Sequence, residues 1–437
     1  MASLDSSEEK ASPAATPGTR ASEPSAFGSH FWFTYLSNSS MMVAVSLLFR
    51  YADFVKLLGG TELNLGVIVG VGMVGSLFMR IFQGLGIDAF GPRRVWLVSA
   101  AGFVVTCLAH LWVKDVHGPA IFILQVLMKT SIAGFFGASI TYVSGRSPIA
   151  RIAEVVGNLG TSGFVGMVLG TTLGDLLLGS GPVDRDGIDR LFIASTLLGC
   201  ISVAFAWIAT RGQIRPATRR ARPPILWILR RYHPGVVLLV GVAMGFGLGL
   251  PPVFLRPYLA ELGMPGLSLF FSLYTATAFV TRLSIRRMPE QHGIRPMILL
   301  GMGSLVLSML LFLPVDREWL LVAPALALGV AHASLFPSVV AGGSGVFPVR
   351  YRGLGTTLVL AMFDLGNLIG SPTVGGLLAA ASYYDLPRFP TMFIVVAALL
   401  TTVGAIYAIA SRHDRHVPGM KARRKVRRTR RREPVPA

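Results

Sequence analysis

The chain is short of charge, of cysteine and of acid. Only 14% of its 437 residues are Asp, Glu, Lys or Arg, well below the roughly 25% of an ordinary soluble domain, so a hydrated globular surface is excluded for most of it. The two cysteines, Cys107 and Cys200, lie in separate apolar runs without CxxC spacing. That rules out a disulfide framework and a thiolate metal cluster, and leaves buried packing as their expected role. No Gly-x-x-x-x-Gly-Lys-Ser/Thr run occurs, so a P-loop ATPase is excluded. Neither a nucleophile with its base, nor paired carboxylates, nor a set of metal-ligating residues recurs at one depth. No enzyme activity, cofactor or metal is therefore expected.

Acidic residues number 21 against 40 basic ones, a net charge of +19. In a soluble chain this excess would suggest nucleic acid, so its placement matters. The stretch Arg211 to Arg231 carries Arg215, Arg219, Arg220, Arg222 and Arg230, and the end of the chain carries Lys421, Arg423, Arg424, Lys425, Arg427, Arg428 and Arg430 to Arg432. No aromatic platform accompanies either run, so anionic membrane lipid rather than nucleic acid is the expected partner of the basic tail.

Hydrophobic residues make up 52% of the chain, and the mean hydropathy is +0.62. Apolar runs long enough to cross about 30 Å of hydrocarbon recur throughout. Hydrocarbon offers the backbone no hydrogen-bond partner, and the runs are long and unalternating, so they must be helices. Spanning helices are predicted at roughly 29–52, 63–86, 95–113, 119–143, 154–180 and 190–210, then at roughly 234–258, 264–285, 296–314, 318–344, 354–380 and 389–411. The expected organisation is a disordered tail (1–27), a first six-helix bundle (28–211), a basic linker (212–232), a second six-helix bundle (233–411) and a polybasic tail (412–437). The fold class is an all-α membrane protein of twelve spans in two pseudo-symmetric halves.

Arg93, Arg94, Arg146, Arg151, the linker, Arg286, Arg287, Arg295, Arg350 and Arg352 fall on one side of this threading. The opposite loops carry mixed or acidic charge: Lys56 with Glu62, Lys114 with Asp115, Asp184 to Asp189, and Asp316 with Glu318. The arginine-rich side is expected to be the cytoplasm, with both termini there, in a multi-pass protein of the plasma or inner membrane.

One loop pattern occurs twice. Arg80…Asp88-Ala-Phe-Gly91-Pro-Arg93 and Arg282…Glu290-Gln-His-Gly293-Ile-Arg295 share their spacing and stand 202 positions apart, while Pro148, Gly166 and Gly170 are echoed by Pro348, Gly366 and Gly370. The chain therefore reads as a duplicated membrane protein. Gly91 permits a tight turn, Gly84 permits close helix approach, and Asp88 can accept hydrogen bonds from arginines such as Arg93 and Arg94 or from a helix N-terminus.

The first loop, Gly84-Leu-Gly-Ile-Asp88-Ala-Phe-Gly91-Pro-Arg93-Arg94, with its weaker copy, the basic linker and the two-by-six count, resembles the signature of the major facilitator superfamily. The resemblance covers nearly the whole chain. It implies two bundles rocking about a central cavity, with Asp88 helping to latch the bundles on the cytoplasmic side, and Glu290 with Arg295 as the weaker second latch. Ala89, Pro92 and Arg286 depart from the family pattern. Glycine-rich helices five (Gly163, Gly166, Gly170, Gly174) and eleven (Gly366, Gly370, Gly375, Gly376) resemble those at the family's bundle interface, although helix five lacks the Gly-Pro pair of its antiporters.

An ionisable side chain at bilayer depth usually faces a cavity or a partner. Lys129 lies about ten residues, or about 15 Å, into helix four. Asn38, His332 and Asp364 fall at similar depth in helices one, ten and eleven. By resemblance helices one, four, seven and ten line the cavity, so Asn38, Lys129 and His332 are candidate substrate contacts and Asp364 sits at the flank. The bland readings are a structural ion pair for Lys129 or Asp364, a packed neutral His332, and interhelical bonding for Asn38. Arg50 with Asp53, and Arg256, occupy matching outer ends of helices one and seven, suiting either a gate or snorkelling to the interface.

The expected function is secondary active transport of a small solute, anionic or polar organic, by alternating access. Titration of Asp53, Asp364 or His332 offers a route to proton coupling. The alternatives are a transporter-like sensor without transport and a drug-type efflux antiporter.

Overall fold

A computed structural model describes residues 27–147, 151–179, 183–212, 225–285, 288–348 and 351–412, with the side chains of 81, 83–86, 88, 152, 153, 225, 226, 289 and 290 outside that description. Among the described residues every regular element is a helix. The first half comprises α1 (Ser29–Leu47), a 3-10 turn (Leu48–Arg50), α2 (Tyr51–Leu57), α3 (Glu62–Phe90), α4 (Pro92–His110), α5 (Pro119–Arg146), α6 (Ile152–Leu178) and α7 (Arg185–Ala209). A short helix, α8 (Ile225–Arg231), lies in the linker. The second half comprises α9 (Val237–Glu261), α10 (Leu267–Ile285), α11 (Met288–His292), α12 (Ile294–Leu311), a 3-10 turn (Glu318–Leu321), α13 (Val322–Gly345), α14 (Arg352–Tyr383) and α15 (Arg388–Ala410). Among the described residues eleven helices are long and apolar enough to cross a membrane. The segment from α1 through α2 is the twelfth crossing, stepped at its 3-10 turn, so both ends of the described chain lie at one end of the molecule. The expected tail 1–27, except Phe27, and nearly all of the polybasic tail lie outside the described residues.

Local chemistry sets the boundaries. Thr61 and Asn64 exchange side-chain and backbone hydrogen bonds in a capping box that starts α3. Asp184 accepts a hydrogen bond from the Gly187 amide and starts α7 at Arg185, earlier than the hydrophobic run implied. α3 runs on to Phe90 because nothing before Gly91 breaks it; Gly91 then adopts φ +80° and Pro92 opens α4. Gly293 takes φ +87° at the start of α12. The two copies of the loop pattern thus turn the chain in the same way.

Packing repeats between the halves. α1 packs on α6 and α7, α3 on α5, and α4 on α5 and α7; correspondingly α9 packs on α14 and α15, α10 on α13, and α12 on α13 and α15. A Cβ on Gly166 or Gly170 would strike Met42, Val43 or Ser46 of α1, and one on Gly366 or Gly370 would strike Val242 or Phe246 of α9. These glycines therefore let helices approach within each half, whereas the resemblance placed them at the bundle interface. Gly375 does sit between halves, against Glu62 and Leu63 of α3.

The outer flanks are apolar, with Trp112, Leu176 and Ile409 exposed as lipid-facing residues. Cys107 is buried as expected, but Cys200 is exposed beside Leu197 and Ile201. An apolar run predicts burial only when water is the alternative; toward hydrocarbon an exposed thiol is equally at home.

Candidate functional site

The halves meet along two seams, α3 against α14 and α6 against α10, which the duplication exchanges. On the first, small residues make the fit: a Cβ on Gly66 would lie 2.3 Å from the Ser371 carbonyl oxygen, and one on Gly70 would strike the Pro372 ring.

At the end away from the termini a charge network bridges the halves. Arg256 of α9 donates from Nε to both carboxylate oxygens of Asp53 in α2 at 3.0 Å. Asp53 also accepts from Arg50 at 3.1 Å, and Arg50 reaches Asp175 of α6 at 2.5 Å. The second oxygen of Asp175 accepts from the Ser268 amide at the start of α10, at 3.1 Å. Further out, Arg388 of α15 joins Glu62 at 2.6 Å and Glu261 at 3.1 Å. Arg50 and Asp53 are buried; they do not snorkel. Burial and mutual hydrogen bonding tie the two halves together here.

A second charged layer lies at mid-depth. Asp364 of α14 accepts from Arg80 Nε at 2.9 Å and from Ser76 Oγ at 2.8 Å, both on α3, and the Lys129 ammonium lies within electrostatic reach of the same carboxylate. Asp364 thus stands on the seam itself, buried, not at the flank. The Lys129 stem passes the bare face of Gly72, and the residue lines a small pocket of about 60 Å³ together with Tyr51, Gln125, Met128 and Val253. On the opposite seam His332 Nδ1 lies 2.5 Å from the Tyr274 hydroxyl, with the two rings stacked. Phe164 meets His332 edge-on at 6.0 Å, and the Arg282 guanidinium sits 5.6 Å from the Phe164 ring centre. Asn38 is buried, with its Oδ1 unpaired among the described residues.

The three expected substrate contacts therefore do not share one pocket. Lys129 gathers with Asp364 and Arg80, His332 gathers with Tyr274 and Arg282, and Asn38 lies inside the packing. Arg80 and Arg282 are not among the expected site residues, although they open both copies of the repeat; their matched offset is the available signal.

The loop candidates are engaged locally. Arg93 lies over Trp207 of α7 at 5.3 Å, while Arg295 donates to Ser411 Oγ at 2.9 Å and to the Ala408 carbonyl at 3.0 Å, at the end of α15. Each braces the third helix of its half against the sixth, and Arg94 is exposed. The side chains of Asp88 and Glu290, and the surroundings of Gly84, lie outside the described residues.

Comparison with known proteins agrees with this geometry. An uncharacterized MFS-type transporter of Pseudomonas aeruginosa is 24% identical over 394 residues, covering 89% of this chain and 93% of its own. A crystal structure of the nucleoside transporter NupG superposes with a TM-score of 0.73 at 14% identity, covering 87% of this chain and 99% of that one. One of a D-xylose–proton symporter does so with a TM-score of 0.63 at 14% identity, covering 86% and 96%. The family model described as Major Facilitator Superfamily matches residues 30–316 and 237–435. The chain belongs to the major facilitator superfamily of membrane transporters and is not an enzyme.

Proposed function

We propose that the protein is a secondary active transporter that moves a small polar or anionic organic solute by rocking its two halves, driven by a proton gradient. One observation carries this reading: the halves are joined by separable hydrogen bonds and ion pairs at the far end and mid-depth, around side chains that face a cavity. Such pairs can be broken and remade as access alternates, whereas an interlocked apolar seam could not. With Asp53 joined to Arg256 and Arg50 to Asp175, the arrangement is read as the state closed at the far end. The reverse state would part Asp53 from Arg256 and close the other end, with Asp88 as the latch. Lys129 and His332 would meet the solute, and Asp364, balanced between Arg80 and Lys129, is the carboxylate whose protonation would free both cations. The protein would act in the plasma or inner membrane, with both termini in the cytoplasm and the basic tail on anionic lipid. The symporter among its structural relatives supports ion coupling.

The test is reconstitution into liposomes with a screen of labelled solutes, with and without an imposed pH gradient. Uphill accumulation of one solute that collapses with a protonophore is the expected result. Flux that ignores every gradient would overturn the coupling, and Asp88→Ala with unchanged flux would remove the latch.

A further inference from the structure

The duplication that relates the seams also relates their charges, and there the match fails. Arg80 and Arg282 are equivalent, 202 positions apart, while Gly166 and Gly170 pair with Gly366 and Gly370 at an offset of 200, which makes Phe164 the counterpart of Asp364. The contacts keep that equivalence: Arg80 faces Asp364 across α3 and α14, and Arg282 faces Phe164 across α10 and α6. The other residues around Asp364 have lost their counterparts as well. Ser76 answers to Ala278 and Lys129 to Gly329. One seam thus holds a carboxylate, a serine hydroxyl and a lysine about its arginine; the other retains the arginine alone.

Among the described residues no carboxylate pairs with Arg282. Its guanidinium lies over the Phe164 ring, and a Cβ on Gly160, an exposed glycine of α6, would be 3.9 Å from its Nη1. Tyr274 and His332 are the polar groups within its reach. Among the described residues of this layer, three basic side chains, Arg80, Lys129 and Arg282, accompany the one carboxylate of Asp364. A part-buried guanidinium without a carboxylate is open to a counter-charge, and Arg presents a planar fork that donates two parallel hydrogen bonds to a carboxylate.

We propose that Arg282 anchors a carboxylate of the transported solute, which occupies on the α6–α10 seam the place that Asp364 occupies on the α3–α14 seam. Phe164, Tyr274 and Phe336, all packed about His332, form the aromatic wall for the solute body. The solute is therefore a small organic acid with an apolar or ring portion, and its arrival balances the layer. This deepens the transport reading and rests on it.

The purified full chain in detergent is titrated by calorimetry with acetate, succinate, benzoate and gluconate, each beside its uncharged amide, and with inorganic phosphate. At least one carboxylate should bind, with its amide at least a hundredfold weaker. Arg282→Gln should weaken that binding at least tenfold. Phe164→Glu, which supplies the missing carboxylate from the protein, should weaken binding equally while raising the melting temperature, a readout that survives if Arg282→Gln folds poorly. Wild-type protein that binds none of the four acids, binds phosphate in preference to all of them, or keeps full affinity in Arg282→Gln would overturn the proposal. Gradient-driven flux of an uncharged solute would do so too while leaving transport intact, whereas carboxylate binding without flux under any gradient would sink the transport reading alone.

Discussion

The far-end network and the mid-depth layer are built from the same residue types and reach opposite balances. At the far end Arg50 and Arg256 meet Asp53 and Asp175, two cations for two anions, and the remaining carboxylate oxygen takes a helix-start amide. At mid-depth, among the described residues, Asp364 meets Arg80 and lies within electrostatic reach of Lys129, while Arg282 on the other seam has no carboxylate partner. The balanced cluster satisfies itself and ties the halves together; on the proposed transport reading it would serve as a clasp, and the unbalanced layer as a receiving site completed by the solute.

The sharpest way to break this comparison is to remove the one carboxylate that the middle possesses. Asp364→Ala leaves the part-buried Arg80 and Lys129 without their anion and is expected to cost about 3 kcal/mol in thermal unfolding of the purified protein. Replacing Arg80 together with Asp364 by Met and Leu should recover most of that loss; no recovery would mean the charges themselves are not what matters. Asp53→Asn comes next, weakening charge-assisted bonds to two arginines at about 1.5–3 kcal/mol each. Amide exchange should quicken in α2 and the last turns of α9 while α7 is unchanged. Gly66→Val drives a side chain into the Ser371 carbonyl and should lower the melting temperature by an overpacking cost of about 1–3 kcal/mol. Arg388→Gln should be the mildest, at or below about 1 kcal/mol, since Arg388 and its glutamates are each about a third exposed to solvent. If Arg388→Gln proved as damaging as Asp53→Asn, the far end would not be the graded clasp described here.

Much of the architecture was legible in the residues. Long apolar runs could only be helices, and the paired Gly91 and Gly293 announced matching turns that the backbone adopts. Depth was legible too, because rise per residue converts a position into a distance along the span. Azimuth was not. A helix that is apolar nearly all round does not reveal which stripe faces a partner and which faces lipid, so Cys200 was assigned to the interior and Asp364 to the flank. The pairing of Arg80 with Asp364 joins residues 284 positions apart, beyond the reach of any local pattern. The stepped first span was equally hidden, since no proline or glycine in the run marks the 3-10 turn at Leu48–Arg50.

Cys107 is sealed within the first half, and Cys200 looks out into lipid. Neither thiol is among the residues lining the pocket beside Lys129 or the aromatic group about His332, so a water-soluble maleimide has no native target there among the described residues. A single cysteine placed there by Val253→Cys or Phe336→Cys would therefore test against a silent background whether the proposed route opens and shuts, with no need to strip the native pair first.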